Sequence, residues 1–336
     1  MVRAAVIGGG VFGCTVAVDL ARAGAKVDLY EARGDILDGA TARCQARLHR
    51  GYHYPRSDAT ATAARDGFAE FWTRYPAAIR TTAHHYVLAP GSKVTPAEYL
   101  AFCDRLDLPY EFADAKHVHS SDLVVRVPEA FVDVDMLRRL ARRDLARTGV
   151  AVHVNQRVDP DELDHDLIVM ATYGQPWSKP LRYEVCEVAL LELGRYDNES
   201  YVVIDGDYVS LDPHRRLHAL YDVAHSVHAV SAQPDFPEYA DLLSRTGPVR
   251  TPVSRVDEMR ESASRFLWGL EPRGQGVSIY HGSLFAVRAV LPDVDATDER
   301  PTLVERDGRV VSILSGKICT AVTAARTVTD MALVAA

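Results

Sequence analysis

The chain reads as an α/β protein: a Rossmann-type dinucleotide-binding domain carrying an inserted, sheet-rich α+β domain. Three observations predict this. The first is a strand–turn–helix–strand unit at the N-terminus with a glycine triplet in its turn. The second is a change of pattern between residues 181 and 230, from mixed α/β to short strands and turns, as over 201–209. The third is a closing strand over 309–314 that runs through Ser315, Gly316 and Lys317 into a last helix from Ile318 to about Val334. A chain that opens and closes in one domain holds the other as an insertion. The expected division is 1–75, 130–178 and 295–336 for the nucleotide-binding domain, with 76–129 and 179–294 for the second.

Residues 2–7 are a short apolar run, the pattern of a buried strand. The run meets G-x-G-x-x-G at Gly8, Gly10 and Gly13. Gly8 permits the tight turn, Gly10 lets a pyrophosphate approach the backbone, and Gly13 lets the helix pack close on the strand. The helix pattern opens with Val11 and Phe12, runs through Arg22 and is closed by Gly24. Its N-terminus offers N–H groups and a partial positive charge to phosphates. A second apolar run ends on Glu31, eighteen residues past Gly13, where a carboxylate can accept hydrogen bonds from a ribose. A glycine triplet alone is weak evidence. Strand, triplet, helix, strand and acid in register are a dinucleotide fingerprint.

Residues 32–56 show little periodicity and are dense in polar and aromatic groups, and ordered loops of this length are usually functional. A helix is expected over 58–74, strands over 84–88 and near 123–127, and an amphipathic helix over 133–148. In that last helix Val134, Leu137, Ala141 and Leu145 form the apolar stripe, Gly149 is the stop, and five arginines make a solvated face. Residues 150–154 and 167–170 read as further strands of the first domain. A helix over 256–267 belongs to the second domain or borders it.

At 336 residues the chain has room for about two domains. Its 47% hydrophobic and 25% charged content is that of an ordinary soluble protein. A net charge of -8 argues against nucleic-acid binding. No apolar run approaches the roughly 20 residues of a membrane span, and the first strand follows Met1 at once, so a cytoplasmic location is expected. The five cysteines are scattered, which fits reduced thiols rather than disulfides or a zinc site. Four of the 13 histidines, His214, His218, His225 and His228, fall close together. If His225 and His228 share a strand, their odd spacing sends them to opposite faces, and no metal site is expected.

Five stretches together resemble the FAD-dependent oxidoreductases of the D-amino-acid oxidase and glycerol-3-phosphate dehydrogenase type, over most of the chain. One is the glycine fingerprint through Glu31. Another is the 39–56 loop, with Gln45-Ala46-Arg47-Leu48-His49 and Gly51-Tyr52-His53-Tyr54-Pro55-Arg56. The others are Val127-Pro128-Glu129-Ala130-Phe131-Val132-Asp133, the strand that ends in Ala171-Thr172-Tyr173-Gly174, and Arg300-Pro301 with the terminal Ser315-Gly316-Lys317-Ile318. NAD and FAD proteins share the fingerprint; the last two stretches favour FAD. The resemblance implies an enzyme that oxidises a C–N or C–OH bond of a small, anionic amino or hydroxy acid by hydride transfer to FAD. The flavin is then reoxidised by O2 or another acceptor. Three alternatives stand beside it. A hydroxylase-type flavin monooxygenase usually carries a second G-D motif where this chain has Ser315-Gly316-Lys317. An NAD-dependent dehydrogenase leaves the terminal strand–Gly–Lys–helix unexplained. A flavin-binding subunit without turnover leaves the dense polar loop idle.

The resemblance also implies roles. Gly8, Gly10, Val11, Phe12, Gly13 and Glu31 hold the ADP half of the cofactor. Arg33 flanks the adenosine or is a surface residue, and the backbone at Val158 closes over the adenine. Ala171 and Gly174 are small where the backbone meets the cofactor. Thr41, Gln45, Arg47, Leu48 and His49 line the ribityl chain and the ring. Gly316, Lys317 and Ile318 bring a helix N-terminus and a cation to the negative charge that a reduced flavin gathers. The alternative for Lys317 is an exposed lysine after a turn. His49 and His53, with Tyr52 and Tyr54, form a pocket wall, and Tyr280 and His281 are further candidates for it. Arg288 is a charge inside the apolar run 285–291 and needs a partner, either a protein carboxylate or the substrate's. Arg300 is the second candidate clamp.

Overall fold

The computed structural model describes residues 1–173, 178, 180–194, 196, 198–206, 208–271, 278–292 and 297–334. One sheet has six strands in the order Leu303–Asp307, Val310–Leu314, Leu167–Met170, Arg3–Ile7, Lys26–Tyr30 and Ala151–His153. All neighbours run parallel except the first two. Its central strands are apolar without alternation because both faces are covered: Ala4, Ala5, Val6, Ile168 and Val169 have no exposed surface. On one face Val16, Leu20, Phe71, Leu137 and Val328 bring four helices, Val11–Arg22, Asp58–Arg74, Val134–Thr148 and Ala321–Val334, into one core with Val6 and Leu29. On the other, Ala5, Ile7, Ile168 and Met170 lie under Tyr30, Val158 and Leu163.

The second sheet is larger, with nine strands. Arg182–Leu193 pairs along its whole length with Ser278–Val290 on one side. On its other side it pairs with Val227–Ser231 and then with Leu217–Asp222. The sheet continues through Val209–His214, Ser200–Ile204, His84–Leu88 and Leu123–Val127 to Glu111–Phe112. Only the pairing of Ser200–Ile204 with His84–Leu88 is parallel, and it joins the two separate stretches of chain in this sheet.

Two expectations need revision here. The region after residue 181 opens with a twelve-residue strand rather than short ones, because that strand serves two cores. Tyr183 and Val185 pack with Phe236 and Phe285, whereas Ala189, Leu191 and Leu193 pack with Met259 and Phe266. The 32–56 stretch is not structureless either: Arg47–Leu48 pairs with Ala130–Val132 in a three-stranded sheet completed by Ile79–Thr81. Among the described residues no helix is long and apolar enough to cross a membrane.

Register sets which side chains share a face of the large sheet. Arg288 stands opposite Glu184, Leu190 opposite Ala219, and Ala219 opposite Asp212. Ser210 stands opposite Val202, and Val202 opposite Tyr86. Strand side chains alternate, so Arg288, Glu184, Tyr221, Asp212, Ser210 and Tyr86 lie on one face. The loop from Gln45 to His53 packs on that face.

Candidate active site

At the N-terminal turn, backbone crowding explains two glycines. Gly8 has φ +105°, and a Cβ there would stand 2.6 Å from the Ala171 carbonyl oxygen. A Cβ on Gly13 would stand 1.8 Å from the Gly8 oxygen. Gly10 differs: the nearest atom to its added Cβ is Thr41 Oγ1, at 3.6 Å. Gly10 starts the helix with no side-chain cap, and the Val11 N–H donates to Thr41 Oγ1 at 3.3 Å. Room for a group beside Gly10, at a helix start whose own N-cap residue has no side chain to offer, fits a pyrophosphate. Phe12 is half-buried and packs against the core.

Glu31 accepts the Gly9 N–H on Oε2 at 2.7 Å and the Arg33 N–H on Oε1 at 2.8 Å. Each oxygen keeps a lone pair for a ribose hydroxyl. Val158 packs beside Tyr30, one strand residue before Glu31. The Arg33 Nη2 donates to the Leu243 carbonyl at 2.6 Å, and the Arg43 Nη1 donates to the same oxygen. Arg43 is buried, yet its Nε and Nη2 make no hydrogen bond among the described residues. Its nearest carboxylate, Asp38, stands 3.9 Å away. Burial, and then Arg33, hold its pKa below the ordinary arginine value. A buried guanidinium with spare N–H groups suits the anionic part of FAD. Sequence reasoning missed Arg43 because nothing local separates it from its arginine neighbours; its position two residues after Thr41 was the available signal. Gly174 lies outside the described residues.

The flavin-ring end is built on the turn before the last helix. Gly67 lets the helix Asp58–Arg74 press on that turn: a Cβ there would stand 2.9 Å from the Cys319 carbonyl oxygen. Thr320 Oγ1 donates to the Lys317 carbonyl at 2.9 Å. Gly316 faces open space, and Ile318 packs on the core. Lys317 is 2% exposed, with no hydrogen bond to Nζ among the described residues. This is not the exposed lysine of the alternative reading. Burial lowers its pKa to about 8, with Cys319 opposing and Arg300 adding to the shift.

Around it stand Tyr54, its ring centroid 5.2 Å from Nζ, and the two histidines. The His49 and His53 rings are 5.6 Å apart and lie 5.8 and 5.3 Å from Tyr54. Neither Nδ1 has a partner among the described residues. Burial and then Arg47 hold His49 well below the ordinary histidine pKa, and burial, Arg47 and Arg300 bring His53 to about 3. Both rings are therefore uncharged near neutral pH, and each unbonded Nδ1 can take part in a hydrogen bond. Arg300 donates its N–H to Thr60 Oγ1 at 3.0 Å, and its guanidinium is 3.7 Å from Asp298.

Other expected residues serve as ties. Gln45 Nε2 donates to Ser210 Oγ at 2.8 Å and to Asp212, and Arg47 makes a close ion pair with Asp212. Their polar ends fasten the loop to the large sheet. Leu48 is fully buried and pairs with Ala130. Arg288 has a protein partner: Nε donates to Glu184 at 2.9 Å, with Nη2 on the same oxygen. Glu184 also takes the Arg182 Nε at 2.9 Å. Arg288 still keeps 40% of its side chain exposed. Its strand is three removed from that of Asp212, roughly 14 Å across the sheet, and Glu184 lies six residues along its strand from Leu190, the residue in register with Asp212, roughly 20 Å more. Tyr280 bonds Ser283 and Ser254, and His281 bonds Glu192, so neither joins the ring-end group. His225 bonds Asp222 and His228 bonds Glu187. Among the described residues no His, Cys, Asp and Glu group is arranged to hold a metal ion.

The sequence model of the DAO family, FAD dependent oxidoreductase, matches residues 3–173, a little over half of the chain. The chain belongs to this family; it is an enzyme, and its cofactor is FAD. It is similar to the FAD-dependent monooxygenase kojA of Aspergillus flavus, 27% identical over 373 aligned residues that cover 98% of this chain and 85% of the relative. The FAD-dependent monooxygenase FPY4 of Fusarium mangiferae is also 27% identical, over 94% of this chain and 87% of its own. Among solved structures, glycine oxidase from Geobacillus kaustophilus superposes with a TM-score of 0.71 at 12% identity, covering 98% of this chain and 94% of that one. Glycerol-3-phosphate dehydrogenase from Bacillus halodurans, complexed with FAD, gives 0.61 at 14% identity, over 98% of this chain and 64% of that one. These likenesses show the fold.

Proposed function

We propose that the chain oxidises a C–N or C–OH bond of a small amino or hydroxy acid, using FAD held by residues 1–75, 130–178 and 295–336. Residues 76–129 and 179–294 then form the substrate side. The observation that carries this reading is the convergence of three buried, unbonded nitrogens, Lys317 Nζ and Nδ1 of His49 and His53, around Tyr54. Unsatisfied buried polar atoms in one place mark a ligand site. When bound, FAD supplies the two-electron acceptor. Gly10, Thr41, Glu31 and Arg43 hold its ADP half, and Lys317 stands by its ring as a cation. The neutral His49 and His53 offer hydrogen bonds to the substrate's nitrogen or oxygen. Arg288 and Arg300 meet the substrate's anionic group. Arg182, Glu184 and Arg288 together carry a net positive charge, which favours an anion.

The test is an aerobic screen of D- and L-amino acids, N-methyl amino acids and 2-hydroxy acids, with peroxide and flavin colour as readouts. Turnover of a small anionic member supports the reading; turnover confined to neutral amines or alcohols removes the anion clamp from it. A monooxygenase is the second reading, and the names of the two fungal relatives favour it.

A further inference from the structure

Behind the wall of His49, His53 and Tyr54 lies an acid that the reading above leaves without a role. Glu129 sits between the strands Leu123–Val127 and Ala130–Val132 and is 2% exposed. Its Oε1 accepts the Arg50 N–H at 2.6 Å, and its Oε2 accepts the Tyr86 O–H at 2.9 Å. Both donors adjoin the proposed site. Arg50 follows His49 in the chain. Tyr86 is fully buried on the loop-facing side of the large sheet, its ring 6.5 Å from His53 and 5.8 Å from Tyr52. One carboxyl group thus ties loop backbone to sheet side chain directly behind the histidines.

We propose that Glu129 is a positioning residue: by holding the Arg50 N–H and the Tyr86 O–H together, its carboxylate sets where His49 and His53 stand beside the flavin, and its protonation reverses its hydrogen bond with Tyr86. The inference rests on the reading that these two histidines face the reacting centre.

The two protonation states differ in geometry. An ionised carboxylate accepts both bonds. A protonated one must donate from one oxygen, and an N–H cannot receive that proton. It therefore settles on the oxygen facing Tyr86, whose hydroxyl has to turn. Tyr86 has no surface exposure, so its hydroxyl cannot turn to solvent, and the ring and the loop adjust. The groups around Glu129 come from every neighbouring element. Arg47 and Asp212 face it from their strands, Tyr52 and Tyr54 from the loop, Tyr99 from the helix Pro96–Arg105, and Cys319 from the Lys317 turn. Of these only Arg47 favours the charge, and Arg47 is already paired with Asp212. Burial raises Glu129 to about 7, with Arg47 and the two hydrogen bonds opposing.

The experiment uses FAD-loaded protein, the wild type beside Glu129→Gln and Tyr86→Phe. The visible band of the bound flavin, and kcat/KM where a substrate is in hand, are followed from about pH 5 to about pH 9, a range centred on the neutral region. The wild type is expected to show a step near pH 7 in both readouts. Glu129→Gln keeps its flavin and loses the step. Tyr86→Phe removes a donor to the carboxylate and moves the step to higher pH. A role limited to folding would leave the flavin band indifferent to these changes. The proposal is overturned if the wild type shows no step, or if Tyr86→Phe leaves the step where it was. Should Glu129→Gln fail to fold, the Tyr86→Phe shift alone decides. The flavin readout needs no substrate, so an error in the substrate class leaves this test standing.

Discussion

Lys317 is an amine kept from water with no acceptor for its three protons among the described residues. Such a group is unfavourable in the protein alone and favourable beside an anion. Lys317→Met should keep FAD yet lower the flavin's midpoint potential by about 20–90 mV, the equivalent of about 1–4 kcal/mol of charge stabilisation in a dry site. A spectroelectrochemical titration reads this directly, and an unchanged potential would separate Lys317 from the ring. The lysine also leaves a signature in stability. Its folded pKa of about 8 lies below the ordinary 10.5, so the folded state binds fewer protons between those values. Stability of the flavin-free protein should therefore rise with pH across that window, and Lys317→Met should abolish the rise in a Tm–pH series. Arg288 gives the matching prediction on the substrate side. Arg288→Lys keeps a charge but loses the fork. It should raise KM about tenfold to a hundredfold, the cost of about 1.5–3 kcal/mol for a charge-assisted contact, with flavin content unchanged.

Among the elements, contiguous ones were the legible ones. The strand, glycine turn, helix and Glu31 lie within one short stretch, and the helix ends at Arg22 as its pattern says. The helix over 58–74 and the strand over 167–170 likewise fall where their periodicity put them. Elements defined by distant partners were not legible. Glu184 as the partner of Arg288, and Asp212 as the partner of Gln45 and Arg47, depend on strand register across more than a hundred residues. The helix Pro96–Arg105 carried a readable signal that went unused: Thr95 and Glu98 form a capping box with Pro96 in the first turn. The helix over 256–267 stops at Ser264, and Leu267 forms a β-bridge with Val118 instead. Gly67 is the element-scale counterpart of the fingerprint glycines, since it sets the distance between a helix and the Lys317 turn. Gly67→Ala should push that turn by a few tenths of an ångström or more and destabilise by about 1–3 kcal/mol, the usual range for overpacking. Chemical denaturation measures the loss, and flavin reduction by substrate should slow in parallel. A variant with full stability and full rate would show that the turn yields freely.

Over the whole molecule, the six-stranded sheet and its helices present the glycine turn, Glu31, Arg43 and Lys317, and the nine-stranded sheet presents Tyr86, Asp212 and Arg288 toward the loop between them. The loop that carries His49 and His53 is fastened to the three-stranded sheet and to the nine-stranded one. Its Arg47–Leu48 strand pairs with Ala130–Val132, and its Gln45 and Arg47 reach Asp212. That arrangement allows one direct test of the proposed chemistry against the monooxygenase reading. The FAD-loaded protein is mixed anaerobically with each small amino or hydroxy acid in turn, and separately with NADH and NADPH, while the flavin absorbance is followed. An oxidation that starts at the substrate predicts bleaching by at least one acid with no nicotinamide present, and slower bleaching by that acid in Lys317→Met. Bleaching by a nicotinamide alone, with every acid inert, would contradict the account and assign the chain to hydroxylation instead.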